Sequence, residues 1–273
     1  MSYPTISREQ ALASLPSEYP FNALNQINSH LSTTSPRRLV VLDDDPTGTQ
    51  TCHDISVLTV WDIPTLTAEF QTNSPGFFIL TNSRALPPSE AKDLITEISN
   101  NVLAAAKATN LTSDNLDIVL RSDSTLRGHF PLEVDVAQSV LGFAPNTTNW
   151  VLAPFFFQGG RLTINDVHYV LEGQDLAPAG ETQFARDATF GYRSSSLRDY
   201  VLEKAPGRFT PEQIRSVTLD DIRTGGPEGV CQKLLGFPGG GVVIANAAAE
   251  SDMHVFVMGL LLGLSHYPLF DSQ

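Results

Sequence analysis

Apolar positions in this chain come in short blocks. Residues 37–42, 55–60, 76–80, 117–120, 150–153, 216–219 and 241–245 are apolar or β-branched runs closed by polar turn residues. Such runs predict strands, and continuous runs such as Leu39-Val40-Val41-Leu42 predict strands covered on both faces. Between several of them the spacing changes to three and four. Ala91, Leu94, Ile95, Ile98, Val102 and Leu103 predict a helix that opens at Pro87-Pro88-Ser89-Glu90. Helices are also predicted over residues 131–141, 195–204, 227–235 and 252–264, with a short one starting near Ser7–Ala13. Strands alternating with helices predict an α/β fold, a layered and mostly parallel sheet flanked by helices in a Rossmann-like three-layer arrangement. Residues 155–194 are rich in Gly and predict loops. The expected organisation is a polar N-terminal extension over 1–36, one domain over 37–266 and a tail over 267–273.

Composition narrows the partners. The chain has 273 residues, 41% apolar and 17% charged, with a formal net charge of −13. So acidic a chain repels nucleic acid and anionic membrane, and neither is expected as a partner. An anionic small molecule would need a local cluster of arginines. Cys52 and Cys231 make no disulfide scaffold or cysteine zinc site and predict free thiols. No signal peptide is legible at the N-terminus. The longest apolar stretch, 255–264, is far short of the ~20 residues a bilayer span needs. A cytoplasmic protein is expected.

Ligands of open α/β sheets bind beyond the C-terminal ends of the strands. The first strand is followed by Asp43-Asp44-Asp45-Pro46-Thr47-Gly48-Thr49-Gln50. Three adjacent carboxylates are costly to desolvate together, so they predict a solvated turn, a bound cation or a proton-transfer site. The third strand is followed by Thr81-Asn82-Ser83-Arg84. The fourth is followed by Arg121-Ser122-Asp123-Ser124-Thr125-Leu126-Arg127-Gly128-His129, where two guanidiniums bracket hydroxyls and one acid, a set suited to a carboxylate or phosphate. The fifth leads to Gly159-Gly160-Arg161 and on to His168, which suits either a general base or a packed structural residue. His30, His53, His129, His254 and His266 lack metal-ligand spacing, and no metal ligand is assigned. Gly239-Gly240-Gly241 has no following Lys-Ser/Thr, so it predicts a turn and not a phosphate-cradling loop. Carboxylates for a hydroxyl and arginines for an acid group together suit a small polyhydroxy acid.

Four segments resemble, in the same order, the N-terminal domain of the four-carbon acid sugar kinase family. They are Asp44-Asp45-Pro46-Thr47-Gly48, Thr81-Asn82-Ser83-Arg84, Asp123-Ser124-Thr125-Leu126-Arg127-Gly128, and Pro154 through Gly160-Arg161 to His168-Tyr169-Val170. The resemblance implies a domain that holds a threonate- or erythronate-type acid for phosphorylation of one hydroxyl. It implies ATP and Mg²⁺ as cofactors of the complete enzyme, carried mostly by a separate C-terminal domain. It implies that Asp45 or Asp44 orients or deprotonates the accepting hydroxyl. Arg84, with Arg121 or Arg127, would hold the substrate carboxylate. Ser122, Asp123, Ser124 and Thr125 would bond its hydroxyls, with Asp43, Thr47, Gly160, Arg161 and His168 in the same substrate set. No nucleotide-binding segment is legible in the chain. Its expected partners are therefore the sugar acid and either a separate nucleotide-binding domain or a second copy.

Two other readings remain open from sequence. Asp43, Asp45 and Thr47 also fit the D-x-D-x-T pattern of haloacid-dehalogenase-type phosphatases, with Asp43 as nucleophile, Thr81 after a later strand, and Lys204 with Asp220-Asp221 as loose further candidates. A non-catalytic sugar-acid-binding module is the other.

Overall fold

The computed structural model describes residues 3–33, 37–49 and 52–266, with side chains through residue 264. The expected tail over 267–273 and Gln50 lie outside the described residues. In chain order the elements are β1 (Ile6–Ser7), α1 (Arg8–Ala13), α2 (Ala23–Thr33), β2 (Arg38–Asp43), β3 (Ser56–Leu58), α3 (Ile63–Phe70), β4 (Gly76–Leu80), α4 (Pro88–Ala108), β5 (Leu116–Arg121) and α5 (Leu132–Leu141). There follow β6 (Trp150–Leu152), β7 (Arg161–Ile164), β8 (Val167–Glu172), β9 (Asp175–Pro178), α6 (Leu197–Lys204), β10 (Ile214–Val217), α7 (Leu219–Arg223), α8 (Gly226–Leu235), β11 (Val242–Ala245) and α9 (Glu250–His266). The α/β class with parallel sheets is as the pattern predicts. By its contacts the chain divides into two compact units: a first unit from residues 37–123 and 128–145, and a second from 3–33, 124–127 and 146–266.

The first unit is a parallel sheet in the order β3-β4-β2-β5. β2 is central, and Val40, Val41, Leu42 and Asp43 are all buried. α3, α4 and α5 pack against the sheet through Leu66, Phe70, Ile95, Ile98, Val102, Val136 and Leu141, around Val40, Leu42, Phe77 and Ile79. Each such buried side chain contributes roughly 1.5–3 kcal/mol. α3 escaped the sequence pattern because it is short; Asp62 caps it by accepting from the Thr65 N–H at 2.8 Å. Gly76 opens β4 where an added Cβ would lie 2.6 Å from the Leu39 carbonyl, so this position keeps β4 close to β2. Asp43 pairs in register with Leu80 on one side and with Arg121 on the other. The parallel pairing therefore brings the ends of β2, β4 and β5 level.

The second unit holds a parallel sheet in the order β10-β11-β6 and an antiparallel sheet in the order β1-β9-β8-β7. Val217, Ile222, Val230, Val243, Val255 and Phe256 form the core under the parallel sheet. The bidentate pair Arg223–Asp252 is buried beside it, at 2.8 and 2.9 Å. The antiparallel sheet was not expected, because residues 155–194 read as loops. Its hairpin turns carry the glycine-like geometry that makes the region look irregular: Asn165 and Asp166 both have positive φ between β7 and β8, and Gly173 has positive φ between β8 and β9. The segment expected as an extension is also part of this unit. Ile6 pairs with Leu176, Ala11 joins the cluster around Leu162 and Leu176, and Ala23 joins the core at Val217. Tyr3, Ile6, Leu12 and Leu15 also pack against the cluster around Leu162 and Leu176, while Phe21, Leu24 and Leu31 stay exposed, so the segment reads as polar overall. β10 ends at Val217, earlier than its apolar run, because Thr218 caps α7 through a reciprocal bond pattern with Asp221.

Candidate functional site

The end of β2 delivers three carboxylates into three different environments. Asp43 is fully buried. Its Oδ1 lies 3.4 Å from both the Asp45 N–H and Arg121 Nη1, and its Oδ2 has no hydrogen-bond partner among the described residues. Burial pushes its pKa up to about 6, against the pull of Arg121 and the Asp45 N–H, and the neighbouring Asp44 and Asp45 charges add to the rise. Gly48 folds back over this carboxylate, and a Cβ there would fall 1.9 Å from Asp43 Oδ2. Glycine is required by that approach.

Asp44 is buried and held by a guanidinium fork. Arg84 Nη2 donates to Oδ1 at 2.5 Å and Nε to Oδ2 at 3.1 Å, while the Ser122 hydroxyl donates to Oδ2 at 2.9 Å. Gly128 packs against the same point, where a Cβ would lie 2.3 Å from Ser122 Oγ. Asp45 is more open. Arg84 Nη1 reaches its Oδ2 at 3.2 Å, and both the Thr47 N–H and hydroxyl donate to its Oδ1. Partial burial works against its charge, but the Thr47 bonds with Arg84 and Arg121 hold it below the usual carboxylate range. Asp45 is thus an ionised, half-open acceptor.

The β4 end supports this arrangement. The Thr81 hydroxyl and N–H both donate to the Asp43 carbonyl at 2.9 Å, and Asn82 turns through a left-handed conformation. The turn brings Arg84 back onto the acids, with its own N–H on the Asp44 carbonyl at 3.3 Å. Arg121 at the β5 end is 31% exposed in its side chain, and among the described residues its one ion-pair contact is the long one to Asp43. Its donors are therefore the ones with capacity for an incoming anion. Asp123, half-buried beside it, adds to the field that keeps Arg84 charged.

Two further residues of this cluster were given no site role from sequence. His129 is buried, and its Nε2 donates to the Ser83 and Leu86 carbonyls at 3.1 and 3.0 Å, fixing the turn that carries Arg84. Glu133 is buried on α5 with Oε1 unpartnered among the described residues; burial raises its pKa, as does the Asp44 charge, with Ser83, His129 and Arg84 opposing. Glu133 reads as an ordinary acid in the first turn of a helix, and only the packing of α5 shows otherwise.

The remaining candidates belong to the second unit, which takes the chain between Asp123 and Ser124 and returns it between Arg127 and Gly128. This loop is held by its main chain. His168 Nε2 donates to the Ser124 carbonyl at 2.7 Å, Tyr192 to that of Thr125 at 2.8 Å and Tyr200 to that of Leu126 at 3.1 Å. His168 is fully buried, and its Nδ1 lies 3.0 Å from the Thr163 hydroxyl. The structure thus assigns His168 to holding the loop and not to contact with a solute, because no ring atom reaches solvent. Gly160 also has an internal role: its N–H bonds the Phe157 carbonyl at 2.9 Å, and its positive φ fits the tight turn against Leu171. Arg127 and Arg161 lie over the Phe184 ring, 5.1 and 5.6 Å from its centroid.

The phosphatase reading fails on this geometry. Its nucleophile would be Asp43, whose carboxylate is buried beneath Gly48. Its distal candidates serve elsewhere: Lys204 Nζ faces the Phe190 and Gly191 carbonyls, and Asp221 caps α7 and pairs with Lys233. The acidic triplet offers Mg²⁺ few uncommitted oxygens: Asp44 is filled by Arg84 and Ser122, Asp45 already accepts from Thr47 and Arg84, and the Asp43 Oδ2 that is unpartnered among the described residues is buried beneath Gly48.

An open parallel sheet with an arginine-neutralised acidic loop beyond its strand ends defines an α/β domain equipped for a small polar ligand. Residues 39–270 match the family described as the sugar-binding N-terminal domain, and the chain belongs to that family, the N-terminal part of four-carbon acid sugar kinase (DUF1537) proteins. A domain-swapped dimer of a DUF1537 protein from Bordetella bronchiseptica, with bound citrate, is similar in fold at 18% identity and a TM-score of 0.57, covering 83% of this chain and 52% of that one. A Salmonella typhimurium LT2 protein described as a tRNA synthase is similar at 16% identity and 0.56, covering 85% and 55%. A DUF1537 protein from Haemophilus influenzae is similar at 16% identity and 0.52, covering 82% and 56%. The chain spans about half the length of these solved structures. No curated protein matches it. No described helix is long and apolar enough to cross a membrane.

Proposed function

We propose that this chain is the substrate half of an ATP-dependent kinase that phosphorylates a hydroxyl of a four-carbon sugar acid of the threonate or erythronate type. One observation supports the reading: at the level ends of β2, β4 and β5 an ionised, half-open Asp45 lies in the field of Arg121, whose one ion-pair contact among the described residues is the long one to Asp43. Phosphoryl transfer asks little covalent chemistry of the protein and much positioning. Asp45 would accept the hydrogen bond of the reacting hydroxyl and aim its oxygen. With its pKa held low, it orients the hydroxyl more than it removes the proton early. Asp44 carries the role of positioning Arg84, since its oxygens are filled. Arg84 in turn holds Asp45, so the substrate carboxylate falls to Arg121.

ATP supplies the phosphoryl group and Mg²⁺ neutralises its charge. In this proposal both belong to a nucleotide-binding domain outside the acidic triplet, and the protein works in the cytoplasm. Citrate, a tricarboxylate with one hydroxyl, is bound to the Bordetella relative and supports a carboxylate ligand for this class. The test is calorimetric titration of the chain with threonate and erythronate, with Arg121→Ala as the variant. Binding that falls at least about tenfold in the variant for the acids, but not for the neutral tetritols, supports the assignment. Equal losses for acid and neutral ligands refute the role of Arg121, and absence of acid binding refutes the function.

A further inference from the structure

An open depression lies in the second unit, on residues that the sugar-acid assignment does not use. It measures about 950 Å³ and is walled by Gly180, Ala185, Arg186, Tyr192, Arg193 and Glu203. Sites for small molecules span roughly 300–1,000 Å³.

The charges on this wall are unusual for the molecule. In a chain of net charge −13, arginines find partners readily, and the other arginines each have a hydrogen bond, an ion pair or an aromatic ring to sit on. Arg186 and Arg193 are exposed, and among the described residues neither guanidinium has a partner. Both open onto the same depression.

The surrounding loop is built to keep them there. The Glu203 carboxylate is already occupied, accepting from the Arg193 N–H at 2.9 Å, the Ser194 N–H at 3.0 Å and the Ser194 hydroxyl at 2.7 Å. It therefore anchors the main chain of Arg193 and leaves the side chain unneutralised. Glu181, the other acid on the wall, is itself engaged. Asp187 accepts from the Thr189 and Phe190 N–H groups at 2.9 Å, and the Tyr192 N–H bonds the Ala185 carbonyl at 3.0 Å, which ties the two arginine-bearing stretches together. Gly180 lies so close that a Cβ would meet the Arg193 carbonyl at 2.3 Å. The Tyr192 hydroxyl points away, to the Thr125 carbonyl, so its ring is floor.

We propose that this depression binds a small polyanion, a metabolite with at least two phosphate or carboxylate groups, through the forks of Arg186 and Arg193. The probe is inorganic pyrophosphate, titrated calorimetrically into the full chain at low ionic strength. Saturable one-to-one binding is expected, weakened at least about tenfold in R186A/R193A. Both side chains lack partners among the described residues, so the double variant should keep the wild-type circular dichroism and melting temperature. Lys92→Ala with Lys107→Ala removes the same charge from α4 and should leave affinity within about twofold. Saturating threonate should leave pyrophosphate affinity unchanged. No saturable binding, equal affinity in R186A/R193A, equal weakening in the lysine variant, or displacement by threonate would each overturn the proposal. None of these outcomes depends on whether the sugar-acid reading holds.

Discussion

Replacing Arg84 by Ala tests whether the acidic loop stands on one guanidinium. Its side chain is 17% exposed and that of Asp44 3%, so the pair is a buried one. Removing one partner of a buried pair costs about 3–5 kcal/mol, because the other charge is left uncompensated. Exposed pairs are worth about 0–1 kcal/mol. Among the described residues Asp44 would retain only the Ser122 hydroxyl, and Asp45 would lose its guanidinium while keeping the Thr47 donors. A loss of roughly 3 kcal/mol or more is expected for Arg84→Ala. The assay is urea unfolding followed by Trp61 fluorescence in a Trp150→Phe background, since Trp61 packs against the core of the first unit. Adding Asp44→Asn to Arg84→Ala removes the orphaned charge and should recover about 1–2 kcal/mol. A cost below about 1 kcal/mol for Arg84→Ala, or no recovery in the double variant, would refute the reasoning.

Asp43 gives a pH signature. Its folded pKa of about 6 lies above the unfolded carboxylate value of ~3.9, so the fold binds this proton more tightly. The contribution favours folding below ~3.9 and is lost progressively as pH rises from there through about 6. Asp43→Asn should therefore raise the melting temperature most at pH 8, about half as much at pH 5 and little at pH 3.5; equal effects across this range would show that the group titrates normally. Gly48→Ala places a methyl against the Asp43 carboxylate, so the loop must move, with an expected cost of roughly 1–3 kcal/mol and weaker sugar-acid binding; unchanged affinity would separate this loop from the ligand.

The sequence pattern located most of this molecule's parallel strands and long helices. Val40-Val41-Leu42 is buried on both faces, and the α4 stripe from Ala91 to Val102 faces the core, because those runs follow the periods of elements covered by others. The residues beyond β2, β4 and β5 were legible for the same reason: a polar cluster directly after an apolar strand sits at a sheet edge where ligands bind. The antiparallel sheet was hidden, since positive-φ Asn165, Asp166 and Gly173 mark hairpins only when the flanking strands have partners, and β1 comes from more than 160 residues earlier in the chain. The division into two units was equally invisible, because long-range contacts set it.

Roles within the cluster were decided by tertiary structure. Asp43, Asp44 and Asp45 are the same side chain three times in a row. Burial beneath Gly48 raises the first, a guanidinium fork fixes the second, and Thr47 with Arg84 keeps the third ionised and half-open. His168 carried the residue type of a base, and its burial made it a support for the Ser124 loop. Residue type and spacing specify which groups gather at a strand end. Solvation and partner geometry specify what each can do, and those arise only once distant segments have packed around them.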